Sequence, residues 1–176
     1  MESLIDNRKT NTFPLVLAQV VKWWLNLQGP RFTGERAVLR RCKSPDEVAL
    51  QSMYYTLLES VLELDDVENF RGVITTRLPL IVGVLAHVEQ DTPGCPVAKA
   101  MGMKKQGSDR PVMSDLRFRR VLRTEDSSEL YISLIRIIKM LGNRADVKDI
   151  IQSLYFWNDQ TRKVWASQYY LQKDMY

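Results

Sequence analysis

The chain has 176 residues, of which 45% are hydrophobic and 26% charged, with a formal net charge of +4. That balance fits one folded domain or two small ones and excludes a disordered chain. No apolar run approaches the roughly 18 residues of a membrane span, the opening MESLIDNRKTNTF lacks the apolar core of a secretory signal, and Cys42 and Cys95 make no disulfide framework. A cytoplasmic protein with reduced thiols and no membrane contact is expected.

Helical signals recur along the chain and strand signals barely occur. The first predicted helix runs from about Thr12 to Leu27, with Thr12 as its cap and Pro14 in its first turn. Val16, Val20, Trp23, Trp24 and Leu27 form one apolar stripe, and Gly29-Pro30 closes the helix. Trp23 and Trp24 are neighbours and point about 100° apart, so one of them is expected to be partly exposed. GERAVLRRC, residues 34–42, forms a short helix on which Arg36 and Arg40 share a face. Ala37, Val38 and Leu39 are expected to fix it to a bundle while the arginines face outward. Ser44-Pro45-Asp46-Glu47 is a capping box with proline at the first helical position, opening a helix that holds Met53, Tyr54, Leu57, Leu58 and Val61.

RLPLIVGVLAHVEQ, residues 77–90, is apolar nearly all round and reads as a buried helix, with a strand as the competing reading for LIVGVL. Residues 91–113 contain Pro93, Gly94, Pro96, Gly102, Gly107 and Pro111 and read as a basic connector loop. Ser114 then caps SDLRFRRVLR. Asp126 with Glu129 makes a second capping box, ahead of the stripe Leu130, Leu134, Ile137, Ile138 and Leu141, which Gly142 closes. Asp146 and Asp159 open two further helices. The fold class expected is all-α: an N-terminal helical half over 1–90, the connector over 91–113, and a C-terminal helical bundle over 114–176.

The charge is unevenly placed. From Lys99 to Arg123, eight basic residues face only Asp109 and Asp115, which leaves +6 on that stretch. Residues 31–43 hold five basic residues against Glu35, whereas Glu59, Glu63, Asp65, Asp66 and Glu68 form an acidic run. Such asymmetry points to a polyanion on one face. In the helix around 117–123, Phe118, Val121 and Leu122 anchor one side and Arg117, Arg119, Arg120 and Arg123 cover the other, with only Asp115, Glu125 and Asp126 nearby to pair them. Guanidinium groups match phosphate geometry in a bidentate way and stack on bases.

Catalytic chemistry has little to build on. His87 is the only histidine and lies in the most apolar segment, where a core role fits better than a catalytic one. No Ser/His/Asp or Cys/His set, zinc-ligand spacing or glycine-rich phosphate loop occurs, so no enzyme activity, cofactor or metal is expected. Asp65, Asp66 and Glu68 read as a solvated loop rather than a metal site. Trp23, Trp24, Trp157 and Trp165 sit at helical spacing in apolar stripes and read mainly as core.

Four segments in order carry a resemblance: GERAVLRR with SPDEVALQSMYYTLL, RLPLIVGVLAHV, LRFRRVLRTEDSSELYISLIRIIKML, and LYFWNDQTRKVWASQYY. Over residues 15–171 the chain resembles the CasB family, the small subunits of the type I-E CRISPR Cascade complex. The resemblance implies an all-helical, non-catalytic subunit, two copies of which stack beside the guide-bearing backbone subunits. It implies contact with guide RNA, with target and displaced DNA strands, and with the backbone and large subunits of Cascade. Arg40, Arg41, Arg77, Arg117, Arg123 and Arg136 match the family's basic positions. Local charge adds Arg36, Lys104, Lys105, Arg119, Arg120, Arg162 and Lys163 as nucleic-acid-binding candidates. The rival reading is a helical, sequence-specific regulator that lays helix 116–123 in the major groove of double-stranded DNA.

Overall fold

The computed structural model describes the backbone of residues 2–173 and the side chains of residues 12–171. Ten α-helices make up these residues: α1 Glu2–Leu27, α2 Thr33–Arg41, α3 Pro45–Val48, α4 Ser52–Leu62, α5 Arg71–Leu85, α6 Val97–Gly102, α7 Asp115–Arg123, α8 Ser127–Met140, α9 Val147–Tyr155 and α10 Asp159–Lys173. Two-residue strands β1, Gln90–Asp91, and β2, Arg144–Ala145, pair in parallel. The all-α expectation holds.

Helix α1 starts well before Thr12, because residues 2–11 contain neither glycine nor proline to stop it. Thr12 therefore lies inside the helix, 2% exposed, and is not its cap. The stripe Val16, Val20, Trp23, Trp24 and Leu27 is buried as expected, but so are both tryptophans: α1 packs against α4 and α9, which covers a wider face than one stripe. Phe13 meets the rings of Tyr155 and Phe156 at centroid distances of 4.9 and 4.7 Å.

The Ser44 box forms as read, with Ser44 Oγ accepting from the Glu47 amide at 3.2 Å, while the Glu47 carboxylate accepts from the Lys43 amide. The single helix expected after it is broken. Residues 49–51 turn between α3 and α4, Gln51 is extended, and Val48 and Tyr54 are both buried. On one continuous helix those two side chains would lie about 120° apart and could not share that core.

Helix α5 settles the competing reading of LIVGVL in favour of a helix, but it runs from Arg71 to Leu85 rather than over 77–90, leaving residues 86–89 as turn and loop and Gln90 in β1. The glycine and β-branched run Gly72–Thr76 has poor helix propensity, which the burial of Ile74 in the core overrides, and the Thr75 and Thr76 hydroxyls donate back to the Arg71 and Gly72 carbonyls. From Leu78 to Val88 every residue is buried. Gly83 allows α3 and α8 to approach: a methyl group there would meet Tyr131 Cε2 at 2.5 Å and Val48 Cγ2 at 2.9 Å. Tyr131 uses the space to donate its hydroxyl hydrogen to the Cys42 carbonyl at 3.0 Å, joining the two halves of the chain.

Residues 91–113 are not a free loop. They carry β1 and α6, and Val97, Ala98, Met101 and Met113 enter the same hydrophobic cluster as the rest of the core. Three carboxylates clip this segment to α9: Asp91 accepts from the Val147 amide, Asp146 from the Gly94 amide, and Asp149 from the Val97 amide, all at 2.8–3.0 Å. Asp146 also caps α9 by accepting from the Asp149 amide, as the sequence suggested. Residues 103–110 form the long exposed stretch, folded back by a Lys104–Pro111 bridge, and Pro93 and Gly94 are exposed as well. The Gly142 stop is a Schellman motif, with the Asn143 amide donating to the Ile138 carbonyl and the Gly142 amide to that of Lys139. Gly102 sits where any Cβ would collide with the Tyr169 carbonyl of α10. Substitution Gly102→Ala is therefore expected to lower stability by about 1–3 kcal/mol, read as a fall in the urea midpoint at unchanged m-value.

Candidate nucleic-acid interface

Helix α7 is held by its apolar side. Phe118 stacks on Tyr169 of α10 at 3.9 Å between centroids and 9° between planes, and Val121 is 4% exposed. The Tyr169 hydroxyl donates to the Met113 carbonyl at 2.7 Å, fixing the entry to the helix. Ser114 occupies the cap position by its backbone, without a side-chain hydrogen bond. Helix α8 is capped by Asp126, which accepts from the Glu129 amide, and buries Leu130, Tyr131, Leu134, Ile137 and Ile138. With these faces used, the helices leave between them a groove of about 460 Å³ that carries Arg117 and Arg120 from α7 and Arg136 and Lys139 from α8. All four are exposed, and none of them takes part in an ion pair among the described residues. The groove has no carboxylate in its lining.

The other candidates divide sharply. Arg40 is turned inward: its Nε donates to the Ala86 carbonyl at 2.7 Å and its NH2 to Glu89 at 3.0 Å. Arg36 donates to Gln28 Oε1 at 2.9 Å. The outward face expected for GERAVLRRC thus reduces to Arg41, which is exposed, and its anchor is Leu39, since Ala37 is exposed and Val38 only half-buried. Arg77 donates to the Trp157 carbonyl, and Arg162 donates to the Thr124 carbonyl and to Asp159 while lying 5.8 Å from the Trp157 ring centroid. Arg119 pairs with Asp115 at 3.0 Å and donates to the Tyr170 hydroxyl, and the Tyr170 bond with the same Asp115 closes a triangle. Lys104 pairs with Asp109 at 3.1 Å. Arg123 lies one turn beyond Arg119 and Arg120 on α7, Lys105 lies in the exposed 103–110 stretch and Lys163 on α10, and all three are exposed.

His87 follows directly on α5 and is 7% exposed. Burial, then the charges of Arg40 and Lys139, push its imidazole from 6.5 down to about 4, so it stays neutral at physiological pH. Cys42 is buried, and burial raises its thiol above the usual range. Among the described residues no group of three or more His, Cys, Asp and Glu is placed to hold a metal ion, and no helix is long and apolar enough to cross a membrane.

The family profile of CRISPR-associated protein Cse2 matches residues 35–170. The chain belongs to the Cse2 family. The CasB resemblance and this match name one family, so the four sequence segments read correctly. A chain in the crystal structure of E. coli Cascade bound to a PAM-containing dsDNA target is similar in fold, with a TM-score of 0.65 and 16% sequence identity, covering 89% of this chain and 97% of that chain. No curated protein matches by sequence. The Cse2 match spans both the Arg40 end and the α7–α8 groove, together with every described element from α3 to α9.

Lys139 is the groove residue that sequence reasoning missed. It stands between Ile138 and Met140 with no basic neighbour inside its own turn except Arg136, three residues back. Only the fold brings it to the same groove as Arg117 and Arg120. Its spacing from Arg136 was the available signal.

Two outcomes follow from these placements. Arg40→Ala leaves a buried helix-end carbonyl without its donor and is expected to cost about 1.5–3 kcal/mol in chemical denaturation, whereas Arg41→Ala stays within about 0.5 kcal/mol of the parent. For His87, the folded value lies below the unfolded one, so the unfolded chain binds the extra proton and stability falls as pH drops from about 6.5 towards 4. The His87 contribution to that fall is on the order of 3 kcal/mol, and His87→Gln is expected to flatten the stability–pH curve in this window relative to the parent.

Proposed function

We infer that this Cse2-family chain is a non-catalytic small subunit of an RNA-guided, type I-E Cascade DNA surveillance complex. It grips nucleic-acid backbone without reading sequence, and it steadies the guide–target duplex and the displaced strand. The partners are guide RNA, target and displaced DNA, the backbone and large subunits of Cascade, and a second copy of the chain, all met in the cytoplasm. The observation that carries this reading is the α7–α8 groove, where Arg117, Arg120, Arg136 and Lys139 converge without a carboxylate. Such a cluster suits phosphates, which position a strand but carry no sequence information. In an RNA-guided complex base pairing supplies the specificity, so a subunit needs no recognition helix. Family membership and the similar chain within a dsDNA-bound Cascade support the assignment.

Arg41, Lys105, Arg123 and Lys163 are exposed and extend the basic surface in this reading. Arg36, Arg40, Arg77 and Arg162 serve the fold through their carbonyl and side-chain partners, and Lys104 and Arg119 are partly neutralised by their ion pairs. A major-groove reader is less well supported, because residues 103–114 separate α6 from α7 where a helix-turn-helix needs a short turn. The non-catalytic reading is supported by the burial of His87, the chain's one histidine, which at 7% exposure is closed to a substrate.

Replacing Arg117, Arg120, Arg136 and Lys139 together with glutamate tests the reading. In fluorescence anisotropy with a labelled single strand, the log–log salt slope of the parent is expected to shrink by roughly 0.7 for each phosphate no longer engaged, about 3 for the quadruple variant. An unchanged slope in a variant with parental circular dichroism would sink the assignment.

A further inference from the structure

The α7–α8 groove has a property that phosphate binding alone does not use. Its depth is apolar: Met113 and Val121 line it at 4% exposure each, and Met140, 37% exposed, borders it. Cations on a flat polar surface would hold a backbone equally well. An apolar recess beneath a ring of cations gains free energy when an apolar body covers it. Single-stranded nucleic acid carries both parts in one polymer, phosphates for the rim and aromatic bases for the recess. Two of the three apolar lining side chains are thioethers, which favour contact with ring edges, and guanidinium planes stack on ring faces. The volume of about 460 Å³ lies within the range of about 300–1,000 Å³ found for pockets that hold organic ligands.

From this the geometry points to a base-binding site: the groove takes an unpaired nucleobase onto Met113, Val121 and Met140 while Arg117, Arg120, Arg136 and Lys139 hold the flanking phosphates. The proposal rests on the nucleic-acid reading of the same groove and adds to it a preference for strands whose bases are free. A base inside a duplex is stacked and paired and has to leave the stack to enter. The displaced strand meets that condition along its length, whereas a paired guide–target duplex meets it only where a base is extruded.

The experiment compares two oligonucleotides of equal length and phosphate count, oligothymidylate and its abasic counterpart, binding to the purified full chain. The abasic strand is expected to bind more weakly by roughly 5- to 150-fold, the range for one stacked base. Ser133 also lines the groove, from α8; Ser133→Phe fills the recess without changing charge and is expected to bring thymidylate affinity down to the abasic level while leaving abasic affinity unchanged. Met140→Ser, a milder change at the groove edge, is expected to narrow the difference between the strands. Equal affinities for the two strands, with the charge-reversal variant still weakening both, overturn the base site and leave the phosphate reading standing. If charge reversal weakens neither strand, the phosphate reading fails, and the base site falls with it. If Ser133→Phe spares strand binding but blocks assembly with other Cascade subunits, the groove holds a protein segment and the proposal is wrong.

Discussion

A buried helix end must find donors for its last carbonyls, and α5 is buried throughout its C-terminal half. Water cannot reach Ala86 or Val88, which are fully buried, so their carbonyls have to be satisfied by protein. Arg40 supplies the donor for Ala86, and the Trp24 indole and Gln28 amide reach the Val88 carbonyl at 3.3 and 3.4 Å. A cation at this end also complements the negative pole of the helix. One apolar helix therefore fixes where α1 and α2 lie. Its continuation into β1, paired with β2, fixes where the chain leaves α8 for α9.

The same constraint sorts the arginines. Arg40, Arg77 and Arg162 each donate to a carbonyl at or just beyond a helix C-terminus: Ala86 after α5, Trp157 after α9 and Thr124 after α7. At Thr124 the Trp157 indole joins Arg162 on one oxygen. Guanidinium suits this task because its donors are spread in a rigid fork and it stays charged when half-buried. Such residues are cationic in composition and structural in use. The arginines of the α7–α8 groove make no such bond to a carbonyl among the described residues, and their charge remains turned to solvent. A basic residue's placement against the backbone therefore separates the two classes more sharply than its count in a window.

Local physics was legible in the sequence, and long-range pairing was not. The caps Ser44, Asp126 and Asp146 act on amides three residues away, and the stripes of α1 and α8 repeat within a helix, so pattern sufficed. The fates of Arg40, Arg162 and Arg77 depend on carbonyls 46, 38 and 80 residues distant, which no spacing rule reaches. The segment 91–113 looked like a loop because proline and glycine dominate it, yet its Gly94 and Val97 amides are captured by Asp146 and Asp149, and its own Asp91 captures the Val147 amide at the start of α9. The early start of α5 was hidden by the run Gly72–Thr76, whose poor helix propensity is overridden by the burial of Ile74 in the core. In the groove, Arg117, Arg120 and Arg136 were visible as charge, and Lys139 was not, because its relation to α7 exists only in three dimensions.

Four like charges around one recess work against folding. Arg117 and Arg120 are three apart on α7, and Arg136 and Lys139 three apart on α8, spacings at which like charges cost a few tenths of a kcal/mol per pair. The fold bears this because its core is continuous: side chains from α1 through α10 belong to one buried cluster, and α7 and α8 are anchored through Phe118 and Tyr131 rather than through charge. Evenly dispersed or paired cations would give a more stable monomer. The acidic run Glu59–Glu68 does not neutralise the groove, since none of its carboxylates lines it and Glu68 pairs locally with Arg71. An arrangement that folding disfavours and that no internal carboxylate relieves is one that an external anion relieves, and binding such an anion to the native state alone necessarily stabilises it. In the proposed reading, strand binding and subunit stability are therefore coupled through the same four side chains.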